Sequence, residues 1–222
     1  MIELILQFWN IVTHLDHHLN AWAASMGGWL YVVLFLIIFC ETGLVVTPFL
    51  PGDSLLFAIG ALCASENAAM NIAIITPLLI VAAVLGDATN YAIGRRLGAK
   101  VFTSESSRLL NKKHLLRTQA FYEKYGGKTI IIARFVPIVR TFAPFVAGVG
   151  EMKYARFFNF NVIGAIAWVV LFIPAGYVFG NLEIVKQRFH IVIIAIIILS
   201  VLPAVYEFWK ERRRAGTLIA GG

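Results

Sequence analysis

Four apolar runs, at 28–46, 72–86, 157–179 and 189–208, govern what this chain can become. Each approaches the ~20 residues that a helix needs to cross a hydrocarbon core. Hydrophobic residues fill 59% of the 222 positions and charged ones only 14%. One soluble core of this length cannot hide so much apolar surface. The chain therefore reads as an all-α integral membrane protein. Ahead of the first run, residues 1–27 mix apolar residues with Asn10, His14, Asp16, His17 and His18. With no basic start and no small-residue cleavage site, this segment is expected to lie in the interface as an amphipathic helix rather than act as a signal peptide. His14 and His18 have the spacing of a metal-binding helix face, but no further ligand cluster accompanies them, so no metal or other cofactor is expected. Cys40 and Cys63 fall in apolar stretches and imply no disulfide framework.

The charges divide the chain sharply. Six acids and no base precede Arg95; 19 bases and six acids follow from there, for a net charge of +7. Nothing accompanies this basic half that suggests a nucleic-acid fold, whereas the positive-inside rule accounts for it directly. The loop 95–128, with nine bases against Glu105 and Glu123, and the tail 210–222, with Arg212, Arg213 and Arg214, are expected in the cytoplasm. The connector 65–71 has no base and is expected on the other side. Three apolar stretches separate the basic loop from the basic tail, and three full crossings would place the tail outside. Making 129–150 a re-entrant hairpin restores the parity. That segment carries Pro137 and Pro144, which interrupt helices, and Arg134 and Arg140, which lipid does not tolerate. Irregular backbone at membrane depth persists only when buried in protein or lining a wet cavity.

An earlier stretch, 47–64, has a matching pattern: Pro48, Pro51 and Gly52 interrupt an apolar region and a short helix is expected at 54–64. Interrupted segments in corresponding positions of two halves indicate an inverted repeat with a transport site at its interface. The expected architecture is thus a single domain at 28–209 with about four spanning helices and two oppositely oriented re-entrant hairpins. Both termini are expected in the cytoplasm.

Three long ordered motifs carry a resemblance. They are ETGLVVTPFLPGD at 41–53, GDATNYAIGR at 86–95 and ARFVPIVRTFAPFVAG at 133–148. These stretches resemble the DedA family of bacterial membrane proteins, over about residues 25–210. The resemblance implies an inner-membrane location, a kinship with eukaryotic lipid scramblases and two opposed re-entrant hairpins. It also implies roles in membrane homeostasis, proton-motive force and recycling of undecaprenyl phosphate. The family's membrane-embedded acids correspond to Glu41 and Asp53, and its paired arginines to Arg134 and Arg140.

The residues themselves point to chemistry. Arginine stays protonated in any plausible setting and must be met by an anion. Six residues apart on one unbroken helix, Arg134 and Arg140 would point about 240° apart; a break at Pro137 lets both face one cavity. Their guanidinium forks suit bidentate phosphate contacts, although internal carboxylates could serve as partners instead. Glu41 lies deep in an apolar run, where burial and a nearby arginine oppose one another in setting its charge, as proton coupling requires. A permanent ion pair with one of the arginines is the competing reading. Asp53 is placed to cap the helix at 54–64 and could add a role as proton acceptor or arginine partner. Asp87 is an accessory candidate near the end of its helix, while Asn90 and Tyr91 read as structural. Gly94-x-x-x-Gly98 and Gly176-x-x-x-Gly180 have the spacing of close helix packing.

These residues fit a proton-linked transporter or flippase of an anionic lipid, such as undecaprenyl phosphate or a related phospholipid. Its expected partners are membrane lipids and protons. A proton-coupled antiporter of small ions or drugs uses the same acids. A lipid phosphatase is the alternative of another class, but no Walker-type loop, hairpin histidine or multi-acid metal motif accompanies the charges, and an enzyme is not expected. The topology is testable in a chain whose native cysteines are replaced. Arg108→Cys should be labelled by an impermeant reagent only from the cytoplasmic side and Glu66→Cys only from the other; labelling of both from one side contradicts the assignment.

Overall fold

The computed structural model describes residues 25–44, 52–64, 70–97 and 126–180, together with positions 68, 182, 185, 191–192 and 194–196. The N-terminal segment through 24, Pro48 and Pro51, residues 98–125 of the basic loop, most of the fourth apolar run and the tail lie outside them. Six helices carry the described core: α1 (Trp29–Gly43), α2 (Gly52–Cys63), α3 (Ile72–Leu97), α4 (Lys128–Ala133), α5 (Pro137–Val149) and α6 (Tyr154–Phe179). No strand occurs among the described residues.

At 1.5 Å per residue, α3 and α6, with 26 residues each, are about 39 Å long, enough to cross a hydrocarbon core of about 30 Å. The 12 residues of α2 and the 13 of α5 reach only about 20 Å. Burial runs opposite to that of a soluble protein. Glu41, Asp53, Asp87, Asn90, Arg134, Arg140 and Asn161 are buried, while Val32, Leu36, Ile74, Val81, Ile163 and Val170 are exposed. Exposed aliphatic faces around a charged interior suit a surrounding lipid. The chain is an all-α membrane protein.

The long helices α3 and α6 are antiparallel. Tyr91 near the end of α3 stacks on Phe157 near the start of α6, and Ile72 at the start of α3 lies with Tyr177 at the end of α6. Each short helix runs alongside one long helix in close backbone contact, and the register is the same in both pairs. A Cβ at Gly176 of α6 would strike the backbone of Phe57 in α2, and one at Gly60 would strike Ile173 and Tyr177. A Cβ at Gly94 of α3 would strike the backbone of Phe145 in α5, and one at Gly148 would strike Tyr91 and Arg95. In all four cases the glycine sits three residues after the residue of its own helix that the partner helix's glycine meets. Asp53 at the start of α2 meets Trp168 and Ala61 near its end meets Gly180, so α2 runs parallel to α6. Thr141 of α5 meets Asn90 and Phe145 meets Gly94, so α5 runs parallel to α3. Because α3 and α6 are antiparallel, α2 and α5 are too, and the contact of Asp53 with Arg140 brings their N-terminal turns together.

Three features depart from the sequence reading. The helix that carries Asp87 runs to Leu97 and so takes in Arg95 and Arg96, which were expected in the loop at 95–128. The helix after the first interruption begins at Gly52, so Asp53 lies inside its first turn rather than at its cap. Pro144 does not break a helix but lies within α5, whereas Pro137 does mark the break. A proline in the first turn loses no hydrogen bond, and Val136 before it is extended (φ −119°, ψ 107°) as that position prefers.

Gly176→Ala and Gly94→Ala should each lower stability by about 1–3 kcal/mol, since the added methyl meets backbone rather than a yielding side chain. Unfolding in detergent checks this; unchanged midpoints would mean that the helices are not seated this closely.

Candidate functional site

Where the N-terminal turns of α2 and α5 converge, the protein buries five charged side chains. Arg140, in the first turn of α5, forks between two acids. Its Nη1 donates to Asp53 Oδ1 at 2.9 Å, and its Nη2 donates to Glu41 Oε1 at 2.5 Å. Glu41 comes from the last turn of α1, and the Gly52 backbone N–H donates to the same Oε1 at 3.1 Å. A Cβ on Gly52 would collide with that carboxyl group, so glycine at this position permits the contact. From α6, the Trp168 indole N–H donates to Asp53 Oδ1 at 2.7 Å.

Arg134 stands at the C-terminal end of α4, before the break. Its Nη2 donates to Asp87 on α3 and to Asn161 Oδ1 on α6 at 2.7 Å. The Asn161 amide in turn donates to the Val84 carbonyl at 3.0 Å. The two arginine centres share one neighbour. The Trp168 ring centroid is 4.8 Å from the Arg140 guanidinium carbon and 5.8 Å from that of Arg134. Asn90 ties the surrounding helices together, donating to the carbonyls of Thr42 at 3.2 Å and Thr141 at 2.8 Å.

All five charges are nearly sealed from solvent: Glu41 and Arg134 are 1% exposed, Asp87 2%, Arg140 5% and Asp53 7%. Charges this dry persist only when paired and hydrogen-bonded. Three carboxyl groups face two guanidiniums, so the fully ionised cluster carries one negative charge in excess. Several polar atoms have no hydrogen-bond partner among the described residues: Glu41 Oε2, Asp87 Oδ1, Arg134 Nε and Nη1, and Arg140 Nε. Three guanidinium nitrogens thus keep donor capacity for another acceptor. No group of acids, histidines or cysteines among the described residues is arranged to hold a metal ion.

The structure thus brings together Glu41, Asp53, Asp87, Arg134 and Arg140. Both arginines have carboxylate partners, with Arg140 taking Glu41 and Asp53 and Arg134 taking Asp87. Gly52 and Pro137 are the first residues of α2 and α5, while Pro48 and Pro51 lie outside the described residues. Sequence reasoning missed Asn161 and Trp168 and set Asn90 aside. The available signal was a polar or amphipathic residue within a largely apolar membrane-length run, as Asn161 and Trp168 are in α6.

The chain is an integral membrane protein whose buried charges lie among helices with apolar outer faces. Residues 50–178 match the VTT domain. Protein DedA of Escherichia coli is 51% identical over 214 residues, covering 96% of this chain and 98% of that protein. An uncharacterized membrane protein of Mycobacterium tuberculosis is 44% identical over 185 residues, 82% of this chain and 81% of the relative. Inner membrane protein YqjA of Escherichia coli is 35% identical over 195 residues, 85% and 88% of the two chains. The chain belongs to the DedA family. No solved structure matches it.

Removing one member of a buried ion pair strands the other. Arg134→Leu should therefore cost about 3–5 kcal/mol, and adding Asp87→Leu should restore most of that loss. Detergent unfolding of the two variants decides it; a double variant as unstable as the single one would mean that Asp87 is not the charge left behind.

Proposed function

We propose that this protein is a transporter of an anionic lipid across the inner membrane, a flippase for undecaprenyl phosphate or a related phospholipid, driven by protons. The observation that carries the reading is the convergence of two short-helix N-termini on two buried arginines that retain unpartnered N–H donors. Helix N-termini favour anions, and guanidinium forks suit phosphate oxygens. Interrupted helices that aim their N-termini into a shared centre are a recurring design of transport sites.

In this reading the segments at 47–64 and 129–150 are re-entrant hairpins from opposite sides, and the matching glycine contacts of α2 with α6 and α5 with α3 support the inverted repeat. With α2 and α5 too short to cross, the barrier thins to the polar cluster between their N-termini. The lipid tail stays in the bilayer while the phosphate passes through that cluster. Arg140 and Arg134 exchange their carboxylates for phosphate oxygens. Glu41 and Asp53, released from Arg140, take up protons, because a lone carboxylate in a dry interior is costly. Asp87 does the same for Arg134. The excess of one carboxyl over the guanidiniums fits a cluster that holds a proton when closed. The carboxylate-paired arginines of the structure are then one state of the cycle and the phosphate-paired arginines the other.

The carboxylate partner that each arginine already has also favours a second reading, a proton-coupled antiporter of small ions or drugs in which the arginines only hold the fold. Reconstitution separates the two. Proteoliposomes containing a fluorescent short-chain analogue of undecaprenyl phosphate should show translocation by the wild type, accelerated by a pH gradient and without release of inorganic phosphate. Folded Glu41→Gln, Asp53→Asn, Arg134→Ala and Arg140→Ala should each lose at least about tenfold in rate, the scale of one charge-assisted contact. Phosphate release would indicate a phosphatase. A well-folded wild type that moves no lipid phosphate, with or without the gradient, contradicts the proposal and favours the antiporter.

A further inference from the structure

Trp168 lies within reach of both arginine centres, carries no charge and cannot titrate. It is fully buried, and its position on α6 places it between Arg140 and Arg134, with guanidinium carbons 4.8 and 5.8 Å from its ring centroid. Its indole N–H donates at 2.7 Å to Asp53 Oδ1, the same oxygen that accepts from Arg140 Nη1 at 2.9 Å. One carboxylate oxygen is therefore held by two donors, one charged and one neutral.

From this geometry we infer that Trp168 is a positioning residue that governs how readily Arg140 leaves Asp53. This inference rests on the transport reading, in which the arginine must exchange acceptors. When Arg140 departs, the indole N–H keeps one donor on Asp53 Oδ1, so the carboxyl group is neither bare nor free to rotate after the arginine. The aromatic face meanwhile remains against both guanidiniums, and cation–π attraction compensates part of their charge without competing for the anion. An acidic residue at this position would hold the arginines permanently; an aliphatic one would support neither partner. The two functions of the indole are chemically separable. The N–H serves Asp53, and the ring serves the arginines.

Trp168→Phe keeps an aromatic ring and removes the N–H, whereas Trp168→Leu removes both. The test uses full-length protein in proteoliposomes with the fluorescent short-chain lipid phosphate, measured across substrate concentration. Thermal unfolding of the same samples is followed alongside. For Trp168→Phe the maximal rate should fall about tenfold or more, the scale of losing a hydrogen bond to a charged group, while the half-saturating concentration changes less than about threefold because the arginines keep their ring. Trp168→Leu should also raise the half-saturating concentration. Trp168→Phe combined with Asp53→Asn should be no slower than Asp53→Asn alone, since both act on one contact.

A Trp168→Phe protein that transports at the wild-type rate, or losses that multiply in the double variant, overturns the inference. If the wild type moves no lipid phosphate, the transport reading falls and the thermal midpoints decide the contact itself. Non-additive shifts for Trp168→Phe and Asp53→Asn retain Trp168 as the residue that positions Asp53, and additive shifts reject it.

Discussion

The fork of Arg140 between Glu41 and Asp53 is the interaction around which the rest of the fold is arranged. A guanidinium cannot shed its proton at membrane depth, so the protein must supply anions to it from elsewhere in the chain. It draws Glu41 from the end of α1 and Asp53 from the start of α2, 99 and 87 residues away in sequence. Bringing these together requires α2 to stop short, its first turn to face that of α5, and glycine at position 52 to admit the Glu41 carboxyl group. The second centre, Arg134 with Asp87 and Asn161, repeats the solution one step away across the Trp168 ring.

The backbone contacts explain why two such short helices can stop at this depth. Neither α2 nor α5 can cross a bilayer, and the N–H groups of a helix's first turn have no partner within the helix; that of Gly52 is met by Glu41. Seating α2 on α6 and α5 on α3 through Gly60, Gly176, Gly94 and Gly148 fixes both helices along their lengths. Their N-termini then converge on a polar cluster rather than on lipid. Buried ion pairs are a poor source of net stability, which makes the cluster expensive as mere scaffolding and intelligible as working parts.

Much of this was legible in the sequence because charge in an apolar run is conspicuous. Glu41, Asp53, Arg134 and Arg140 stand out against their neighbours, and Pro137 announces the break that lets both arginines face inward. Arginine–acid pairing was among the readings, but which acid meets which arginine was not legible, since Asp87 meets Arg134 across 47 residues and Trp168 meets Asp53 across 115, and no local periodicity encodes such contacts. Asn161 and Trp168 went unnoticed because an amide or an indole in a membrane helix is a weaker anomaly than a charge. Pro144 misled for the opposite reason. A proline removes one donor, but a helix packed as closely as α5 is against α3 continues through it.

The central claim is that phosphate replaces carboxylate at the arginines and that the displaced acid takes up a proton. Infrared difference spectroscopy on the detergent-solubilised protein, before and after adding a short-chain alkyl phosphate, tests it most directly. The account predicts a new protonated-carboxyl band on binding, diminished in Glu41→Gln or Asp53→Asn and missing from a control with an uncharged alkyl glycoside. Binding of the alkyl phosphate with no change in carboxyl protonation would contradict it, leaving the arginine–carboxylate pairs as fixed supports of the fold.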